Sequence, residues 1–161
     1  MTAGGDDVHR IARIEIDEAS LAATTAVAEH ERRVAMFDII EANSFRLIGG
    51  KPGPYDLRLA GADGRLILDV RDLERATLKA LVLSMAPFRG LIRDYFLVCE
   101  SYYQAIRNAT PDRIEAVDMG RRGLHNEGSE LLTARLKGKV ETDFDTARRL
   151  FTLVCALHRP R

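Results

Sequence analysis

The chain has 161 residues, of which 46% are apolar, and its 24 Lys and Arg are balanced by 24 Asp and Glu. That is the length and composition of one globular domain, and a net charge of zero supplies no global field toward nucleic acid or a membrane surface. No apolar run approaches the ~18 residues of a membrane span, and the acidic start with Gly4, Gly5, Asp6 and Asp7 is unlike a signal peptide, so a soluble cytoplasmic protein is expected.

Residues 1–161 read as a single domain with a frayed tail over 1–7. Ala12, Ile14 and Ile16 alternate with Arg13, Glu15 and Asp17, which predicts a half-buried strand. After an aperiodic stretch, Arg33, Met36, Phe37 and Ile40 recur at helical spacing and predict a helix over about 26–42. Phe45 and Leu47 flank Arg46 in a short strand, which the breakers of Gly49 to Pro54 end. Tyr55, Leu57 and Leu59, then Leu66, Leu68 and Val70, alternate with polar residues around Gly61-Ala62-Asp63-Gly64 and predict a β-hairpin. Leu78 to Leu83 form an apolar run that reads as a buried strand.

From Pro87 the period turns helical, with Phe88, Leu91, Ile92, Tyr95, Cys99, Tyr102, Tyr103 and Ile106 on one side. Thr110-Pro111-Asp112 supplies a capping oxygen, a proline that needs no N–H and a first-turn acid, opening a helix to about Lys137 that Gly138 stops. Thr142-Asp143-Phe144-Asp145 resembles a capping box and opens a last helix to about His158. The order predicts an α+β fold: an antiparallel sheet of about four to five strands with an N-terminal helix and three C-terminal helices packed on one face.

Along the third predicted helix, Ile114, Val117, Leu124, Leu131, Leu132 and Leu136 define an apolar arc, and Arg121, His125 and Gly128 fall inside it. An imidazole and a guanidinium facing packed protein need partners, and the hydroxyls of Tyr95, Tyr102 and Tyr103 or the carboxylates of Asp94 and Glu100 are at hand. Gly120, Gly123 and Gly128 in the same helix imply a close helix contact, a break, or backbone open to a ligand; a break near Gly120 to Gly123 would make an anion-binding corner with Arg121 and Arg122. The candidate ligand contacts are therefore Tyr102, Arg121, Arg122, His125, Asn126 and Glu127.

Catalytic residues are not identifiable, and no metal site is expected: His125 and Glu127 lie about 200° apart on a helix, and no His-Glu-x-x-His or Cys-x-x-Cys pattern occurs. No cofactor is implied. Cys99 and Cys155 lie among core-type residues as reduced thiols. The leading reading is a non-catalytic binding or regulatory protein with a polar pocket in its helical half for a small anionic ligand or a protein partner. Two others stand beside it: a hydrolase or transferase acting on a phosphorylated or nucleotide substrate through His125, and an RNA-associated accessory protein using Arg148 and Arg149. In the last helix Leu150, Leu153 and Leu157 oppose Phe144, Ala147, Phe151, Val154 and Cys155, so the helix is central to the domain or covered by a second subunit; a homodimer is the expectation.

The stretches Asp94-Tyr95-Phe96, Cys99-Glu100-Ser101-Tyr102-Tyr103, Ile114-Glu115-Ala116, 118–132 and 145–155 together resemble the bacterial uncharacterised protein family 0262, and Glu29-His30-Glu31-Arg32 does so more loosely. The resemblance implies a small bacterial cytoplasmic protein and brings no activity, cofactor or catalytic residue with it.

Overall fold

The computed structural model describes residues 8–21 and 26–157. The tail expected over residues 1–7 lies outside them, as does His158. In chain order the elements are β1 (Ile11–Ile16), a short 3-10 turn (Glu18–Ser20), α1 (Ala26–Glu41), β2 (Phe45–Leu47), β3 (Tyr55–Ala62), β4 (Arg65–Arg71), β5 (Thr77–Ser84), α2 (Ala86–Asn108), α3 (Pro111–Leu136), β6 (Val140–Thr142) and α4 (Phe144–Leu157). The α+β class and nearly every helix and strand follow the sequence periods.

The hairpin forms where alternation placed it, closing through Asp63 (φ 54°) and Gly64 (φ 74°) between the paired residues Ala62 and Arg65. Two successive positive φ values are what a two-residue hairpin turn needs to match the twist of its strands. The sheet differs from expectation in connectivity. Its order is β1-β3-β4-β5, and β1 runs parallel to β3 while the other pairs are antiparallel. The parallel pair is possible because α1, β2 and the loop from Gly49 to Pro54 carry the chain back across the domain before β3 begins.

A second, two-stranded sheet pairs β2 with β6, a strand that three residues are too few to announce in sequence. The chain of β5 is not a buried strand. It is the sheet's edge: Leu81 and Leu83 are buried, but Val82 between them is 53% exposed. The apolar run hid the two-residue period because Val82 lies on the solvent face beside Ile67.

One face of the larger sheet presents Leu57, Leu59, Leu66, Leu68, Val70, Leu81 and Leu83 to Phe88, Ile92, Leu132, Leu150, Phe151 and Val154 of the helices, in one contiguous core. The other face is a checkerboard of charge. Arg13, Asp56 and Arg71 form one cross-strand row, and Glu15, Arg58 and Asp69 the next. Asp56, buried, is held by Arg71 at 3.2 Å and Arg13 at 3.4 Å, and Arg58 reaches Asp17 at 3.2 Å. Helices on one face and solvated charge on the other are the usual division of a half-covered sheet.

The last helix settles in the centre. Leu150, Leu153 and Leu157, the residues that pointed to a second subunit, are buried together with Ala147, Phe151, Val154 and Cys155 by α1, α3 and the sheet of the same chain. The apolar far side of α4 therefore gives no reason to place a partner there.

Candidate functional site

The helices α2 and α3 pack side by side along much of their length, α3 also packs on α4, and α4 on α1. The hairpin between α2 and α3 is fixed at its tip by the predicted cap: Thr110 Oγ1 accepts from the Arg113 N–H at 3.4 Å, with Pro111 in the first turn. Helix α3 then runs unbroken to Leu136. The anion-binding corner proposed for a break at Gly120 to Gly123 does not exist, and both glycines lie exposed with nothing within 4 Å of the Cβ each lacks.

Gly128 is the exception. A Cβ there would sit 2.0 Å from Phe151 Cζ, so this glycine is what lets the Phe151 ring lie against the α3 backbone. Ser129 beside it is buried and donates to the carbonyl of His125 at 2.7 Å, satisfying its hydroxyl within the helix.

Arg121 and His125 point inward, as the helical wheel places them. The Arg121 guanidinium donates to Asp118 Oδ1 through Nε at 3.1 Å and Nη2 at 2.6 Å, and its carbon stands 4.8 Å from the centre of the Tyr102 ring, a cation–π contact. Burial pulls its pKa down, but the Asp118 hydrogen bond and charge, with the Tyr95 hydroxyl nearby, reverse that and hold the guanidinium firmly charged. Arg122, exposed, shares the same carboxylate at 3.2 Å.

His125 packs between Tyr95 and Phe151, with ring centres 5.4 and 5.3 Å away. Its Nε2 lies 2.8 Å from Thr152 Oγ1, and that hydroxyl in turn donates to the Arg148 carbonyl at 3.3 Å. We assign the Thr152 proton to that carbonyl, which places the ring hydrogen on Nε2 and leaves Nδ1 as a lone-pair acceptor. Burial, with the positive charges of Arg148 and Arg121, lowers the His125 pKa to about 4, so the ring is neutral at physiological pH.

The structure brings together Tyr102, Arg121 and His125 of the predicted contacts. Asn126 and Glu127 lie exposed on the far side of α3 with Arg122. Among the partners expected for the cations, the Tyr95 hydroxyl meets Arg121, Tyr102 meets it through its ring and the Tyr103 hydroxyl turns to Glu31, while Asp94 and Glu100 face solvent and Asp118 replaces them. Its spacing, three residues before Arg121 and four before Arg122, was a readable signal.

Three contributors lie outside the predicted contacts. Glu31 reaches the site from α1, and burial raises its pKa, opposed by the charge of Arg121, the Tyr103 hydroxyl and His30. Thr152 and Arg148 come from α4. Burial pushes the Cys99 thiol up to about 11 and Cys155 well above its ordinary value, so neither is a thiolate.

Two buried polar atoms at this junction have no hydrogen-bond partner: His125 Nδ1 and Arg148 Nε. The one atom of the same kind found elsewhere among the described residues is Arg71 Nε, in the charged sheet face. The clefts of about 380 Å³ between β1 and α1 and about 580 Å³ beside β6 are not lined by any predicted contact. Among the described residues no cluster of three His, Cys, Asp or Glu could hold a metal, and no helix is long and apolar enough to cross a membrane.

Comparison with known proteins places these residues in a family. The model of the Uncharacterised protein family (UPF0262) matches residues 8–160. A UPF0262 protein of Phenylobacterium zucineum (strain HLK1) is 62% identical, covering 93% of both chains. Another, from Caulobacter vibrioides (strain NA1000 / CB15N), is 59% identical over 93% of each, and one from Brucella canis is 58% identical over 92% of this chain and 93% of the relative. No solved structure matches. The chain belongs to the UPF0262 family.

Proposed function

We propose that this UPF0262 member is a non-catalytic binding or regulatory protein of the bacterial cytoplasm, whose helical half holds a small oxyanion where α2, α3 and α4 meet. One observation carries the reading: His125 Nδ1 and Arg148 Nε are both buried and both without a partner at the same junction. Buried polar atoms left unpaired are rare in folded proteins, and each costs about 1–3 kcal/mol. Here one is an acceptor and the other a donor.

A group that satisfies both must donate to Nδ1 and accept from the guanidinium. A hydroxyl-bearing oxyanion, such as hydrogen phosphate or a phosphate monoester, does both.

The acid–base reading draws less support. His125 lies among aromatic rings, bonds no carboxylate and is a weak base at its lowered pKa of about 4. The RNA reading loses Arg149, whose Nη1 donates to the Ala42 carbonyl at 3.2 Å, and the Nε of Arg148 is buried inside the protein.

The test is a titration of the ¹⁵N-labelled protein with inorganic phosphate, glycerol phosphate and citrate, read at the His125 ring nitrogens. Saturable movement of Nδ1, lost in Arg148→Met but kept in Arg149→Met, is the expected result. If all three leave the ring nitrogens unmoved, the junction holds at most a water and the proposal fails.

A further inference from the structure

Helix α1 buries Ala35 and Ile39 against the core, yet its opposite side is also apolar. Phe37 is 64% exposed, Val34 42% and Ile40 40%. At 100° per residue these three fall in one stripe centred on Phe37, half a turn from the buried side. Three large apolar residues on one exposed helix face call for an explanation that single exposed residues do not.

The stripe has an internal symmetry. Val34 and Ile40 stand three residues either side of Phe37, and Arg33 and Glu41 stand four either side. Laid antiparallel against a second copy about a two-fold axis through Phe37, the helix sets Phe37 on Phe37, Val34 on Ile40 and Arg33 on Glu41, each of the last two twice. Arg33 and Glu41, at the two ends of the stripe, then each meet an opposite charge. A two-fold contact has to be self-complementary in this sense. Arg33 already leans along the surface, 2.6 Å from Glu29 one turn earlier, so its guanidinium lies at the rim of the stripe.

We infer that α1 is the contact of a homodimer, two copies crossing antiparallel at Phe37 with Arg33–Glu41 pairs closing the two ends. The occupant is a second copy rather than an unrelated protein because the charges complement those of the helix itself. The contact is small: a 16-residue helix spans about 24 Å, and one such crossing falls below the ~800 Å² per partner of a standard interface. The dimer is therefore a weak, concentration-dependent one.

Light scattering and sedimentation at chain concentrations of about 1 to 500 µM test this. The expected molar mass climbs from 18.0 kDa toward twice that value. Phe37→Glu should weaken association about 100-fold. Arg33→Glu should weaken it about 10-fold, and Glu41→Arg added to it should restore it.

Because a residue on a two-fold axis faces its own copy, Phe37→Cys should cross-link to itself on mild oxidation, and Val34→Cys alone should not. Cys99 and Cys155 are buried and do not compete. A chain that stays monomeric over the whole range overturns the inference. So does a dimer that survives Phe37→Glu, which would move the contact elsewhere, to the β5 edge for example. All these positions are on the surface, and an unchanged helical circular dichroism spectrum confirms that the variants fold.

Discussion

The three glycines of α3 make opposite predictions within one helix. At Gly128 an alanine Cβ would lie 2.0 Å from Phe151 Cζ and 2.4 Å from both Cε atoms. Non-bonded carbons rest at about 3.5–4.0 Å, so the ring or the helix must retreat by about 1.5 Å or more. Phe151 has nowhere to go: it is fully buried, with ring centres of His125 at 5.3 Å, Tyr95 at 6.3 Å and Phe88 at 6.4 Å around it. Overpacking of this kind costs about 3 kcal/mol or more, and the gain in helix propensity returns ~1 kcal/mol. Gly128→Ala should therefore destabilise by about 2 kcal/mol or more, lowering Tm by roughly 4–8 °C for a chain of this size. Gly120→Ala and Gly123→Ala meet nothing within 4 Å and should each stabilise by up to ~1 kcal/mol, raising Tm by roughly 2–4 °C. Thermal melts and urea midpoints of the three single variants decide it. Trimming the ring in Gly128→Ala/Phe151→Leu should recover part of the loss. A Gly128→Ala protein as stable as the parent would refute the close approach of α3 and α4 on which the site's geometry rests.

Two further outcomes follow from the same junction. His125 titrates near 4 when folded against an ordinary 6.5, so the unfolded chain binds its proton more readily. Its contribution, on the order of 3 kcal/mol, is present above pH 6.5, declines as pH falls through 4 and is gone below. Glu31, raised, acts in the opposite sense, contributing stability at low pH that is lost as pH rises through its folded pKa. Comparing urea midpoints of the parent and His125→Gln at pH 7.5 and pH 4.5 isolates the histidine: the loss on acidification should be smaller in the variant, and equal losses would show that the ring is not held neutral. Thiol labelling at pH 8 should be at least about 100-fold slower in the native protein than in urea, because Cys99 and Cys155 are buried with raised pKa. Fast native labelling of either would contradict the packing around Tyr95.

Much of this was legible in the sequence because periodicity reports which face of an element is covered. The wheel put Arg121, His125 and Gly128 on the inner side of α3, and the Asp63-Gly64 turn and the Thr110 cap announced themselves by residue type. What periodicity cannot report is what covers the face. Glu31 and Thr152 reach the junction across 90 residues or so of chain from Arg121 or from another helix with no local pattern to mark them, and the Arg148-Arg149 pair pointed to RNA rather than to His125. The same blindness explains α4, where an all-round apolar pattern reads alike for a helix buried by its own chain and one buried by a partner. It explains β5 too, since an exposed Val82 between two buried leucines looks like a run. Arg122, Asn126 and Glu127 were drawn in by nearness in sequence, yet a helix turns neighbours to different sides.

The central position of α4 bears on how the protein is made. Ala147, Leu150, Phe151, Leu153, Val154, Cys155 and Leu157 of this helix are buried, and it follows every other described element in the chain. The leucine side of the sheet, and the inner surfaces of α1 and α3, are thus only partly covered by the earlier elements until residues 144–157 have emerged from the ribosome. Closure of the fold waits on this helix, and until it docks the nascent chain presents the kind of greasy, unpaired surface that chaperones bind.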